Sequence, residues 1–350
     1  MYIYIVLLIV VIITIILENY FTNNRKFYIT FVDVLLLIIF ILFYSLRDNI
    51  GYDYPMYERT VYAGFADEVY ASKGEILSAS LLNIAEYFYD AHIFFFLVAL
   101  ITLPLIFYSL KYNTYIKDSL SLGILSFLAL PIGFVNSLSI QRQFLAIGIL
   151  LFSIKYLLSR NFVKYLCCLI IACFFHISSI VYIFVYFITS NRFKYKYFVY
   201  IFIIGYIFIF IGMKILISIF PFYEYYLLSL NSFKTGGQLQ IIMYILFAII
   251  YIILKKYLIK RCYYNIFLKA YLWGLISTLW LIPFDANVAF RFGSFGLIQT
   301  IFLISYIPQA FNKTSKIFIK IMLMILLSII YIYNLYITTG TAYIPYKTFL

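Results

Sequence analysis

The chain has 350 residues, of which 66% are hydrophobic and 11% charged, with a net charge of +13 and a mean hydropathy of +1.03. A soluble fold carries about a quarter of its residues as charges, so a soluble enzyme, a disulfide scaffold and a disordered chain are excluded. The solvent for this much Ile, Leu, Phe and Tyr is lipid. The 38 Tyr and 38 Phe follow the same bias and carry no stacking signature of their own.

Apolar runs separated by polar breaks predict spans at 2–17, 29–46, 91–109, 120–135, 140–158, 163–175, 177–189, 197–219, 237–254, 266–282, 292–307 and 316–337. The fold class is therefore an all-α integral membrane protein. It is a polytopic bundle of about 11–12 helices, one membrane domain over residues 1–350, with a short hairpin around His176. The first run has no basic leader and no small-residue cleavage site, and reads as a retained span. Two polar stretches interrupt the pattern. Residues 47–90 form the largest extracytoplasmic loop, and residues 220–236 the second. Cys167, Cys168, Cys173 and Cys262 lack zinc-site spacing, and no metal or cofactor is expected.

The stretch 163–189 decides the topology. As two halves, each spans only ~20 Å of helix, short of the ~30 Å hydrocarbon core. A hairpin with His176 at its tip nevertheless puts every basic loop on one face. That face then holds 18 of the 26 basic residues, from Arg25 to Lys320, against only Glu18, Asp33 and Asp118. A single span would instead translocate KKYLIKRCYYN. The positive-inside rule favours the hairpin, with the basic loops cytoplasmic and both termini outside. Scattered over six short loops, the basic residues are a topology signal and not a nucleic-acid patch.

The opposite face holds the chemically interesting charges. An ionisable residue inside a membrane segment costs at least ~2.5 kcal/mol and is a functional candidate by default. In RDNIGYDYPMY, Arg47 ends a span, Gly51 permits a tight turn, and Asp53 and Tyr57 project towards one site; a capped membrane-exit loop is the plainer reading. Arg142, between Gln141 and Gln143, starts a span. It is either an interfacial anchor that snorkels or a clamp for a lipid-linked phosphate, whose oxygens a guanidinium binds bidentately. His176 is either a structural histidine or a proton acceptor and sugar contact at a helix break. Lys214 either snorkels or joins the cations. Arg291 either pairs with Asp285 or makes a second phosphate or sugar contact. No Walker sequence, GxGxxG or nucleophile elbow occurs.

These pieces resemble one family. Arg47, Gly51, Asp53 and Tyr57 in RxxxGxDxxxY, the RQFLA run from Arg142, the FFHISSI run around His176, Arg291 and the terminal IPY at Ile344–Tyr346 resemble, in order and spacing over roughly residues 40–350, the EpsG/Wzy group. These are bacterial polymerases of O-antigen, capsule and exopolysaccharide.

The resemblance implies an enzyme of the bacterial cytoplasmic membrane that joins oligosaccharide repeat units on its outer face. Donor and acceptor are both carried on undecaprenyl pyrophosphate, without nucleotide sugar or ATP, and a chain-length regulator is an expected partner. A sugar hydroxyl attacks the anomeric carbon and a lipid pyrophosphate leaves. Fixed cations stabilise that leaving group: Arg142, Arg291, Lys214 and Arg47, with Gln143 and Tyr57 beside them. His176 or Asp53 would serve as base. No second paired carboxylate suggests double displacement. A lipid-linked oligosaccharide flippase, an O-antigen ligase and a membrane acyltransferase are the competing readings.

Overall fold

Backbone in lipid must satisfy its own N–H and C=O groups, so the apolar runs become helices. The computed structural model describes residues 1–21, 31–112, 119–219, 237–258, 262–338 and 340–349. It is 82% helical, no strand is formed among the described residues, and Arg47 and Thr348 form an isolated antiparallel bridge. The principal helices are α1 (Tyr2–Phe21), α2 (Phe31–Ser45), α3 (Tyr54–Ala63), α4 (Ile76–Tyr87), α5 (Ala91–Tyr112), α6 (Ser119–Ala129), α7 (Gln141–Leu158), α8 (Phe162–Phe175), α9 (Lys196–Ile219), α10 (Gly237–Leu258), α11 (Cys262–Leu281), α12 (Ala286–Leu297), α13 (Thr300–Tyr306) and α14 (Lys313–Ile337). Helices α5, α7, α10 and α14 are each long and apolar enough to cross a bilayer. The chain is a helical membrane protein.

The structure adds detail to two sequence expectations. The span expected at 292–307 is two segments, α12 and a second run from Thr300, meeting at 46°. The stretch 47–90, expected as a loop, is folded into α3, α4 and two short turns. Its helices are amphipathic: α3 buries Tyr54, Tyr57, Thr60 and Val61, and α4 buries Ser78, Ala79, Leu82 and Ala85. These are 3.6-period stripes too short and too polar to register as spans. The second expected loop, 220–236, lies outside the described residues.

The described residues divide into two compact units, 1–180 with 304–350, and 181–303. In the first, α7 is the central helix: 72% of its apolar window is buried, against 11% for α14. A three-residue turn joins α7 to α8, where the Asn161 side chain caps α8 by accepting from the Lys164 N–H at 3.1 Å. The two helices are antiparallel neighbours, so the start of α7 and the end of α8 share one end of the unit. The end of α2 is there too, since the Tyr44 hydroxyl donates to the Ser137 carbonyl at 2.7 Å. The opposite end is basic. Lys111 at the end of α5 pairs with Asp33 at the start of α2, and Lys155, Arg160 and Lys164 flank the α7–α8 turn.

The C-terminal segment straps the non-basic end. Gly51 N–H donates to Ala342 at 2.8 Å and Asp48 N–H to Lys347 at 3.0 Å, while the Tyr4 and Tyr346 hydroxyls donate to the Tyr343 and Phe43 carbonyls. Gly51 is required there. Its φ is +107°, and a Cβ would lie 2.4 Å from the Leu138 carbonyl oxygen.

In the second unit α11 packs closely on α12 because glycines line the contact. A Cβ on Gly274 would lie 2.6 Å from the Gly296 Cα. The buried Lys269 donates to the Ser190 and Phe193 carbonyls at 2.7 and 2.8 Å, satisfying a chain end that hydrocarbon would otherwise leave unpaired.

Candidate active site

The non-basic end of the first unit gathers its charges around a residue that sequence reading did not single out. Gly74, at φ +82°, ends the short turn Ala71–Lys73. The following N–H of Glu75 bonds to the Tyr70 carbonyl at 3.0 Å. This tight loop carries the Glu75 side chain inward, where only 3% of it is exposed. A carboxylate there must be paired and hydrogen-bonded, and both of its oxygens are. Oε1 accepts from His176 Nδ1 at 2.8 Å and from the Ile177 N–H at 3.1 Å. Oε2 forms an ion pair with Arg142 Nη1.

The helix break at His176 makes this possible. Helix α8 stops at Phe175, and His176 takes extended backbone (φ −156°, ψ 111°) before a 3₁₀ turn begins at Ile177. The break turns the imidazole and the next N–H towards the same oxygen. The Ser78 hydroxyl, three residues past Glu75, donates to the Phe175 carbonyl at 2.7 Å, tying α4 to that helix end. A carboxylate only accepts, so His176 Nδ1 carries a proton, and the neutral ring places its basic lone pair on Nε2.

Arg142 stands in the first turn of α7. Its Nε donates to the Tyr57 hydroxyl at 3.3 Å and its guanidinium lies 4.1 Å over the Tyr70 ring. Burial raises the Tyr57 phenol above its usual range despite the opposing pull of Arg142, which keeps it protonated. Lys73 lies on the same loop with a largely exposed side chain. Partial desolvation of its ammonium first, then the Arg142 charge, lowers its pKa. The arrangement thus offers an oriented imidazole backed by a buried carboxylate, with two cations alongside.

The other sequence candidates are distributed differently. Tyr57 is in the cluster. Asp53 is at the N-cap position of α3, half-buried, without a side-chain capping bond. Its charge bears on Tyr57 and Tyr70, which places it at the border of the cluster. Gln143 is buried in the bundle, 2% exposed. Arg47 is fully buried, and its guanidinium donates to three backbone carbonyls, Ile50, Tyr44 and Leu138, between the rings of Tyr44 and Phe95. These bonds hold the membrane-exit turn. Arg291 is exposed in α12, which Asp285 caps by accepting from the Val288 N–H at 2.8 Å; it belongs to the second unit. The side chain of Lys214 lies outside the described residues.

Glu75, Tyr70 and Lys73 were missed because the string YASKGEIL has no motif. A lone acid between a glycine and an apolar helical run is the one signal available, and a simple helix-capping acid has the same pattern.

The family model described as the EpsG family matches residues 30–348. No curated protein and no solved structure matches the chain.

Proposed function

The chain belongs to the EpsG family, and on that premise we propose that it is a Wzy-type polysaccharide polymerase acting at the Glu75 end of the bundle. The single observation that carries the reading is the buried Glu75 carboxylate, which holds His176 with one oxygen and Arg142 with the other. A base and a cation are thereby fixed a few ångströms apart, as glycosyl transfer from a lipid pyrophosphate requires.

In this reading the substrates are two undecaprenyl-pyrophosphate-linked oligosaccharides. A hydroxyl of the acceptor sugar gives its proton to His176 Nε2, and its oxygen bonds to the anomeric carbon of the donor. The bond from that carbon to phosphate breaks, and the lipid pyrophosphate departs with the electron pair. Glu75 keeps the imidazole in the required tautomer and stabilises the imidazolium, the role of the acid in hydrolase triads. Arg142 and Lys73 offset the charge gathering on the leaving group. Asp53, at the border, orients sugar hydroxyls. The basic residues Lys111, Lys155, Arg160 and Lys164 lie at the other end of this unit, and the positive-inside rule then directs the Glu75 end outward from the cytoplasm. A bacterial cytoplasmic membrane and a chain-length regulator as partner belong to the same proposal.

The test is a surface-polysaccharide ladder from a deletion strain carrying wild type, Arg142→Ala or His176→Ala at matched membrane levels. A single capped repeat unit in the deletion, with the ladder restored by wild type alone, is the expected result. Loss of every repeat unit from the surface in the deletion would instead assign the protein to translocation or ligation.

A further inference from the structure

Helix α4 has three faces. One is packed: Ser78, Ala79, Leu82 and Ala85 are buried, and the helix lies on α5 and α8. The second is polar and turns towards the rest of the 47–90 segment. Asn83 donates to the Asp67 carboxylate at 3.0 Å, and the Glu86 carboxylate stands against Gly64, where a Cβ would lie 2.8 Å from its Oε1. The third is exposed and uncharged. It is the stripe Ile76, Ser80, Ile84 and Tyr87, at helical spacing, continued by Phe88. The Ser80 hydroxyl is already bonded within the helix, to the Ile76 carbonyl at 2.9 Å.

The register of the spans sets the depth of this helix. Helix α5 is ~33 Å long, enough for the ~30 Å hydrocarbon core, so Ala91 marks the margin at the non-basic end. Helices α5 and α7 are level at two points. The Tyr108 and Phe152 rings lie 5.4 Å apart, and a Cβ on Gly148 would lie 3.4 Å from the Thr102 carbonyl oxygen. Counted from either point at about 1.5 Å per residue, Arg142 lies ~8–11 Å inward of Ala91. The Glu75 cluster, which holds Arg142, therefore stands within the leaflet and not above it. Helix α4 climbs from the cluster to the level of Ala91. There Phe88–Asp90 turns the chain into α5, with the Asp90 N–H donating to the Ala85 carbonyl at 3.0 Å.

At that depth an uncharged, exposed stripe has hydrocarbon beside it. The helices under α4 present the same kind of surface: Phe96 and Leu100 are exposed on α5, and Ile170 and Phe174 on α8. Tyr87, Phe88 and Tyr89, all well exposed, close the stripe where an interfacial aromatic belt belongs. We propose that α4 lies in the leaflet at the non-basic end, with Ile76 and Ile84 against acyl chains and the three rings among the headgroups. The bilayer thus reaches the residue next to Glu75. On the reading of the site as a polymerase, a lipid-linked pyrophosphate reaches Arg142 from within the leaflet.

The test uses the full chain, its native cysteines replaced by alanine, in vesicles of phosphatidylethanolamine and phosphatidylglycerol. Single nitroxide labels are placed by Ile76→Cys and Ile84→Cys, with Phe96→Cys as the lipid reference and Glu68→Cys, an exposed acid, as the water reference. Collisions with oxygen and with a water-soluble nickel chelate are read from the spin relaxation. Labels at Ile76 and Ile84 should meet oxygen as often as the one at Phe96. They should meet the chelate at least about tenfold less often than the one at Glu68, because hydrocarbon excludes a polar solute. Chelate collisions at Ile84 equal to those at Glu68 would put α4 in water and overturn the proposal. Few collisions with either reagent would overturn it too, since protein, such as a second copy of the chain, would then cover the stripe. The readout needs no substrate, so it is separate from the outcome of the polymerisation assay.

Discussion

Glu75 and His176 are 101 residues apart in the chain, and the carboxylate Oε1 accepts from the imidazole Nδ1 at 2.8 Å. The Ile177 N–H reaches the same oxygen at 3.1 Å, so ring and backbone are fixed together. This relationship makes Glu75, rather than Asp53, the acid on which the His176 chemistry depends.

Glu75→Gln keeps the shape and removes the charge. The imidazole loses its tautomer control and Arg142 its counter-ion. Polymerisation should fall about 10²-fold or more, the scale of general-base catalysis, with the protein still inserted. The ladder assay at matched protein level reads this, and a wild-type ladder from Glu75→Gln rejects the assignment. Glu75→Ala should in addition destabilise the fold, because Arg142, only 14% exposed, loses its counter-ion.

Arg142→Lys preserves the charge and loses the geometry. An ammonium cannot hold Glu75 and the Tyr57 hydroxyl while stacking on Tyr70. The variant should polymerise at least about tenfold more slowly than wild type (~1.4 kcal/mol in the barrier). Chain-length distributions from a timed induction would show it, and full activity in Arg142→Lys would reduce the residue to a point charge.

Arg47 should behave as a structural residue. Replacing it with Met takes the guanidinium away from the carbonyls of Tyr44, Ile50 and Leu138, the last of which keeps the Gln141 Nε2 donor at 3.3 Å, at about 1–3 kcal/mol for each buried group left orphaned. Melting in detergent should drop markedly, while activity per folded molecule stays close to wild type. A variant that folds as wild type but fails to polymerise would return Arg47 to the ligand set.

Gly51→Ala tests the strap. Its φ of +107° and the 2.4 Å approach to Leu138 leave no room for a methyl group. The substitution should push the Gly51–Ala342 pairing apart and expose the C-terminal segment to limited proteolysis. Gly340→Ala, also at positive φ but with nothing within 4 Å, is the control for backbone strain alone and should leave the segment far better protected.

Much of the architecture could be read from the chain. Spans at 140–158, 163–175 and 197–219 agree with α7, α8 and α9 within a residue, because a run of apolar residues in lipid has one way to satisfy its backbone. The break at His176 was legible too, as a lone imidazole in 27 residues otherwise nearly free of charge. The helices within 47–90 were not, since short amphipathic turns look like polar loop until a partner surface is known.

Membrane class and the positions of the long apolar helices were determined by the sequence alone, for they rest on local hydropathy counted along the chain. The pairing of Glu75 with both His176 and Arg142, and the burial of Arg47 among carbonyls, were decided only by the tertiary structure. An arginine at a span end reads the same whether it faces substrate or backbone. Which one it meets depends on residues 91 positions away, as Leu138 is from Arg47, brought close by the packing of helices and not by any local pattern.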